Sequence, residues 1–267
     1  MNSSKKYNRS LHAPISLGTT SDDRFMPRGY LKTFAKMDLV LTEKLDGQNN
    51  CFSKNGVFAR SHTSSTQHPW DKPMRQRWEL IKNDLDDIEI FGENMYGVHS
   101  IGYQKLESYF YVFAVRQNER WLSWEEVKFY ASMFDFPCVP EIPITTSLSS
   151  LYYDEKKNED KILEAWFVKN LGMDWKESVE TQGLLGGYDP LTSKPCSEGF
   201  VIRNAKGFTT NEGEVSVSSN EFNNLFKLVR ESHVKTDTHW SKTWKEATLI
   251  DYEKYGWYAY SFLKGKK

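Results

Sequence analysis

Short apolar runs between polar stretches organise this chain from Met37 onward. Segments rich in Val, Ile, Phe and Tyr lie at Met37–Leu45, Gly56–Arg60, Ile88–Gly92, Tyr109–Val115, Gly199–Arg203, Glu214–Ser218 and Leu225–Arg230. Each has the length and residue types of a strand. Helical period occurs in two places. After Ser123, Glu126 stands at capping-box spacing, and Val127, Tyr130, Ala131 and Phe134 fall on one face. The run EDKILEAWFVKN predicts a second helix over about Asp160–Asn170, with Gly172 as its stop. Strands and helices mix without regular βαβ alternation, so the class is α+β with mainly antiparallel sheets.

Residues 1–30, with Pro14, Gly18, Pro27 and Gly29, predict a loose basic segment ahead of a domain over 31–240. Within that domain the stretch about 141–196 is polar and broken by Pro and Gly, and reads as a lid-like insertion. From His233 the chain is expected to be helical. The aromatic, basic tail 241–267 should pack on the domain, because so many rings are costly to expose.

Composition narrows the function classes. Hydrophobic residues make up 39% and charged residues 27% of 267 residues, as in soluble globular proteins. No apolar run suits a membrane helix, and MNSSKKYNRS lacks the apolar core of a signal peptide. Cys51, Cys138 and Cys196 are odd in number and widely spaced, which disfavours a zinc site or disulfide frame and fits a reducing cytoplasm. His233 and His239 share no helix face, so they predict no metal site. Net charge is −1, but residues 1–36 carry seven lysines and arginines against two aspartates, and residues 227–267 carry nine against five acids. Basic ends around an acidic centre suit a grip on a polyanion, with carboxylates reserved for a metal.

The chemistry concentrates around TEKLDGQN, Thr42–Asn49, where Lys44 and Asp46-Gly47 follow an apolar strand. Asp-Gly alone predicts a hairpin turn, and Lys-x-Asp-Gly is common by chance. The elements beyond it sharpen the reading. Arg60 ends a strand, Glu93 follows one in FGENMYG, Phe113 lies within SYFYVFAV, Glu198 precedes one in CSEGFVIR, and Lys227 sits in LFKLVR.

That order of lysine, arginine, glutamate, aromatic, glutamate and lysine resembles the covalent nucleotidyltransferase superfamily of polynucleotide ligases and capping enzymes. EKLDGQ is similar to its motif I, FGENMYG to motif III, YFYVFAV to motif IIIa, EGFVIR to motif IV and FKLVR to motif V. TSDDR, TEKLDGQN, ARS, ENMYGVHSIGY and KLVRESHVKTDTHW resemble a bacterial and phage branch of ATP-dependent RNA ligases, and the likeness covers about Pro14–Trp240. The fold implied is a nucleotidyltransferase (ATP-grasp-like ligase adenylation) domain, α+β, with two mainly antiparallel sheets flanked by helices around a nucleotide cleft.

The resemblance implies roles that the residue types can fill. Lys44 would take AMP from ATP, and its amine reacts only when neutral, so Lys227 and a metal ion nearby should depress its pKa. Gly47 would let the backbone approach the nucleotide. Glu93 and Glu198 offer hard oxygen ligands for Mg²⁺ or Mn²⁺, with Glu93 inclined to the ribose and Glu198 to the metal. Asp46 would orient Lys44 or a metal-bound water, or simply form the turn. Phe113 would stack on adenine; it shares a strand face with Tyr111, with Phe110 and Val112 on the other. Glu43, pointing opposite to Lys44, reads the adenine edge or sits at the surface. Arg60 would hold ribose or a 5′-phosphate. Lys227 would contact the α-phosphate. Many relatives carry a second lysine two residues on, where this chain has Val229; Arg230 replaces it or touches nucleic acid.

The function implied is ATP-dependent joining of RNA 5′-phosphate and 3′-hydroxyl ends, through lysyl-AMP and an RNA-adenylate. RNA/DNA hybrids and nicked duplexes stay open as substrates, and a cytoplasmic monomer is expected. Another polynucleotide ligase, a capping-type enzyme, or a nucleic-acid binding protein without catalysis are the alternatives; the intact set of Lys44, Glu93, Glu198 and Lys227 speaks against the last. The 43 residues before Lys44 and the 37 after Arg230 are too few for an OB barrel, so the basic ends or a partner would supply the grip.

Overall fold

A computed structural model describes residues 7, 10–60, 64–152, 158–209, 224–231, 240–242 and 244–251. The expected strand Glu214–Ser218, the expected start of the tail helix, and His233 and His239 lie outside the described residues.

Two sheets face a common cleft. The five-stranded sheet has the order β1 (Leu11–His12), β13 (Leu225–Val229), β11 (Gly199–Asn204), β2 (Leu39–Lys44), β9 (Glu141–Ile142). The six-stranded sheet runs β12 (Phe208–Thr209), β8 (Arg120–Trp121), β7 (Phe110–Gln117), β5 (Ile88–Asn94), β3 (Gln48–Ser53), β4 (Gly56–Ala59). A small pair joins β6 (Gly102–Tyr103) to β10 (Gly187–Tyr188). Pairing within the sheets is antiparallel except for β1 on β13, so the α+β expectation holds. Among the described residues no helix is long and apolar enough to cross a membrane.

Local sequence explains the helices. In α3 (Trp124–Met133) the Ser123 hydroxyl accepts from Glu126 N–H, and the Glu126 carboxylate accepts from Ser123 N–H at 2.8 Å. That reciprocal cap satisfies two amides that would otherwise lack partners. In α4 (Glu159–Leu171), Asn158 caps the start, and Gly172 closes the end at φ 76°, a left-handed position that suits glycine. The Glu159 carboxylate also accepts from Gly29 N–H at 2.7 Å and Leu31 N–H at 3.1 Å, capping α1 (Tyr30–Phe34) across the fold. The polar run KPMRQRWELI forms α2 (Lys72–Ile81), burying Met74 and Ile81, and WKES forms the short α5 (Trp175–Ser178).

Each main sheet has its own core. Under the five-stranded sheet, Leu41, Phe200, Ile202, Phe226 and Leu228 meet Leu31 and Phe34 of α1 and Leu163, Trp166 and Phe167 of α4. Under the six-stranded sheet, Phe52, Ile90, Phe110 and Val112 meet Val127 and Ala131 of α3 and Ile81 of α2. Each such side chain contributes about 1.5–3 kcal/mol by leaving water. Arg203 on β11 ties the sheets together: its guanidinium donates to the carbonyls of Phe113 and Leu122, both at 3.0 Å.

Three expectations are corrected by the fold. Residues 10–30 are not loose, because Leu11–His12 adds a strand to β13 and Leu11, Ala13 and Met26 are buried. The Asp46-Gly47 bend is not a hairpin: β2 belongs to one sheet and β3 to the other, so the bend carries the chain across the cleft. Beyond a single 3-10 turn at Trp240–Lys242, the described tail runs irregularly rather than as a helix, and hydrogen-bonds along residues 96–106.

Candidate active site

Lys44 ends β2 at the rim of the sheet, opposite Gly199 of β11, and the residue before that glycine is Glu198. This register places the Lys44 ammonium 2.6 and 2.7 Å from the two Glu198 oxygens. The side chains are 24% and 6% exposed, so the pair faces a cleft rather than open solvent. The chain then bends and enters β3, whose Asn49 pairs with Glu93 on β5. Glu93 Oε1 accepts from Gly47 N–H at 3.1 Å. A Cβ at Gly47 would lie 2.5 Å from the Asn94 carbonyl oxygen, so only glycine lets the bend pass this close to β5.

Three carboxylates surround one ammonium here, and the electrostatics show it. Burial, reinforced by Glu198 and Asp46 and opposed by Lys44, pushes Glu93 up to about 8. Burial alone would lower Lys44, but Glu198, Glu93 and Asp46 outweigh it and the net shift is upward. Of the two neighbours expected to depress Lys44, Lys227 is close enough to act on it, yet the carboxylates outweigh it. Lys227, on β13, carries the depressed value instead. Burial first, then the charge of Lys44, lowers it to about 8.

The N-terminal segment supplies the surroundings of Lys227. Asp23 lies 4.0 Å from its ammonium, and His12, paired beside it on β1, lies 3.3 Å from the same aspartate. Burial and Lys227 drive His12 down to about 4, so it is a neutral ring, with Nδ1 2.8 Å from the Ser16 hydroxyl. TSDDR holds Asp23 in the sequence, but nothing in local spacing links it to a lysine 204 positions later. Only the parallel pairing of β1 with β13 makes that contact.

Lys44, Glu93 and Lys227 line a cavity of about 720 Å³ together with Arg60, Phe113, Trp124 and Val139, and Glu198 borders it through its pair with Lys44. The remaining expected residues divide. Asp46 does not reach Lys44 by a direct hydrogen bond; its Oδ2 accepts from Ser100 N–H, Ser100 Oγ–H and Ile101 N–H at 2.7–2.9 Å, so it braces the 99–101 loop. Glu43 is no surface residue. It is 3% exposed, and its carboxylate accepts from Leu184 N–H at 2.7 Å. Gly183 leaves it room, since a Cβ there would collide with the Glu43 carboxylate. Arg230 does not line the cavity; it is buried, and its Nε meets no hydrogen-bond partner among the described residues. His68, Trp70, His99 and Trp240, none of them given a role from the sequence, also line the cavity.

Among the described residues no three His, Cys, Asp or Glu side chains form a ready metal cage. Glu93 and Glu198 nonetheless suit a divalent ion. They are hard oxygen donors in a cluster whose carboxylates exceed its cations, and a Mg²⁺-type ion keeps waters and takes phosphates as its other ligands.

Comparison with known proteins follows the same lines. The RNA ligase family matches residues 37–229, most of the chain. An archaeal ATP-dependent RNA ligase is similar at 14% identity and TM-score 0.47, over 86% of this chain and 49% of that one. Naegleria gruberi RNA ligase, in a structure with ATP and Mn, is similar at 13% identity and TM-score 0.44, over 84% of this chain and 60% of that one. The chain thus spans about half the length of the archaeal structures it matches. A search of curated proteins finds no match.

Proposed function

The chain belongs to the RNA ligase family, and from that premise we propose that it is an ATP-dependent RNA ligase whose covalent nucleotide carrier is Lys44. The observation that carries this reading is that Lys44, Glu93 and Lys227 line one cavity from three separate strands, with Glu198 paired to Lys44 from the start of a fourth.

Lys44 must lose a proton before its amine can attack. That proton passes to solvent in the cleft, and Glu198, within hydrogen-bond distance, orients the side chain. The Nζ–P bond then forms at the α-phosphate of ATP, the bond to the β-phosphate breaks, and pyrophosphate leaves. Lys227 stabilises the charge on the transferring group. Phe113, with Trp124 and Val139 beside it, supplies an apolar wall for adenine. Glu198 and Glu93 would hold a Mg²⁺ or Mn²⁺ ion, which when bound neutralises phosphate charge. AMP next passes to an RNA 5′-phosphate, and a 3′-hydroxyl displaces it to make the phosphodiester.

The test is incubation with ATP labelled at the α-phosphate, Mg²⁺ and the full chain. Wild type should carry a denaturation-stable label, and Lys44→Arg, which keeps the charge and the pair with Glu198, should carry none. No label from any nucleoside triphosphate in folded wild type sinks the reading. Sealing only where the 3′-hydroxyl end is DNA would overturn the RNA assignment.

A further inference from the structure

Four rings from three distant segments meet at the mouth of the cleft. His68 and Trp70 stack with centroids 4.7 Å apart and planes 10° apart. His99 and Trp240 stack at 3.8 Å and 23°, and Trp70 meets Trp240 edge-on at 4.9 Å. Gly97 lies against this cluster: a Cβ there would stand 3.2 Å from the Trp240 ring and 3.5 Å from Trp70 Cβ. Asn94 Nδ2, one residue from Glu93, donates to the Trp70 carbonyl at 3.1 Å and fixes that segment to the strand that carries the site. On the other side Val98 N–H donates to Lys245 O and Ala247 N–H to Tyr96 O, both at 2.8 Å, so the segment after Trp240 is tied to the loop bearing His99.

These rings do not serve a core. None is among the buried residues of the hydrophobic clusters; His68 is exposed and the other three are half-buried. Among the described residues, Trp70 Nε1 is a shielded donor without a partner. All four rings share one cavity with Lys44, Glu93, Arg60 and Lys227. The adenosine already has its apolar wall at Phe113, Trp124 and Val139, so a second aromatic surface in that cavity is matched to a second base. Flat rings beside cationic side chains bind bases of any identity, by stacking and by attraction of the backbone.

Resting on the ligase reading above, we propose that His68, Trp70, His99 and Trp240 form a stacking platform for a nucleobase of the RNA end brought to Lys44. The platform is assembled before RNA arrives, which limits the ordering cost of binding. It gives affinity with little sequence preference.

The test separates this base from the adenine of ATP. Trp240→Ala and Trp240→Phe are compared with wild type in AMP transfer to Lys44, in sealing of a pre-adenylated RNA strand, and in binding of a labelled single-stranded oligoribonucleotide with 5′-hydroxyl ends. Loss of one stacked base costs about five- to a hundredfold. Trp240→Ala should therefore lose that much more in sealing and in oligonucleotide affinity than in AMP transfer, while Trp240→Phe keeps most of both. His68→Ala, at an exposed position, repeats the test with less risk to folding and should show a smaller loss of the same kind. Equal losses in AMP transfer and sealing would assign the platform to ATP or to the fold. Unchanged sealing and binding in both alanine variants would remove it from RNA recognition. Wild type that neither takes AMP nor seals would fail the ligase reading itself, an outcome distinct from these.

Discussion

Lys44 and Lys227 share one cleft, yet their surroundings push them in opposite directions. Lys44 faces Glu198 at 2.6 Å and feels Glu93 and Asp46 as well, and its pKa rises. Lys227 has its closest acid, Asp23, at 4.0 Å and feels Lys44 as a like charge, and it falls to about 8. At rest the proposed nucleophile is therefore firmly charged, and the proposed phosphate ligand is the one nearer to neutral. Phosphates arriving at Lys227 would favour its ammonium form, and neutralising Glu198 and Glu93 would release Lys44. On the proposed mechanism, the carboxylates that hold the Lys44 proton are the groups whose neutralisation would free its amine.

The most damaging way to break this asymmetry, short of removing Lys44 itself, is Glu198→Gln. It keeps the shape but removes both the ion pair and a hard metal ligand. Charge stabilisation worth several kcal/mol is lost, so AMP transfer should fall on the order of a hundredfold or more. The sign of the accompanying pH effect is opposite. Without the carboxylate the Lys44 pKa drops, so the residual activity should reach its plateau at lower pH than in wild type. A profile that stays in place while the rate falls would mean that Glu198 does not control the Lys44 proton.

Asp23→Asn acts on the other lysine and more gently. The groups acting on Lys227 are Lys44, Asp23, Glu198 and Arg60, and Asp23 is one of those that hold its pKa up. Removing that charge lowers Lys227 below about 8, so it loses its proton earlier as pH rises. The alkaline limb of AMP transfer should move to lower pH, with a loss of a few-fold near pH 8 and recovery at pH 7. Asp23→Glu should restore much of the profile. Equal losses at both pH values would reduce Asp23 to a structural tie between the N-terminal segment and β13.

How far the sequence disclosed this contrast depends on how local each signal is. β2, β5, β7, β11 and β13 were legible as apolar runs, and Lys44, Glu93, Phe113, Glu198 and Lys227 could be named because the strings around them, some at a strand end and some mid-strand, resemble the family's motifs. The α3 cap was equally legible because Ser123 and Glu126 are three residues apart. β3 was missed: QNNCFS reads as polar, yet it lies between β4 and β5, and Asn50 is fully buried there. Its register comes from tertiary pairing, which overrides residue preference. Asp23, His12 and the rings of the cleft mouth were illegible for a related reason. Asp23 and His12 meet Lys227, and Trp240 meets Trp70 and His99, across more than a hundred positions, and only the folded chain brings them together. The upward shift of Lys44 was not legible because the count of carboxylates around it is a property of the assembled site.

The finest test moves one residue along the strand, from Lys44 to Glu43. Burial pushes Glu43 up to about 7, against the Leu184 N–H bond that favours its charge. The folded state thus keeps this proton to higher pH than the unfolded chain does. Stability must fall as pH rises from about 4.5 to about 7, and the full cost of the buried charge is present above that window. Glu43→Gln cannot ionise, and its amide oxygen can still accept from Leu184 N–H. It should melt a few degrees above wild type at pH 8, reflecting about 1–2 kcal/mol, and the difference should vanish near pH 5. Thermal melts at the two pH values check this. Identical melting at pH 8 would mean that another group neutralises Glu43. A higher ATP requirement for AMP transfer in the same variant would return Glu43 to the adenine-reading role, because a residue that only holds the 183–184 loop should leave the ATP dependence where it was.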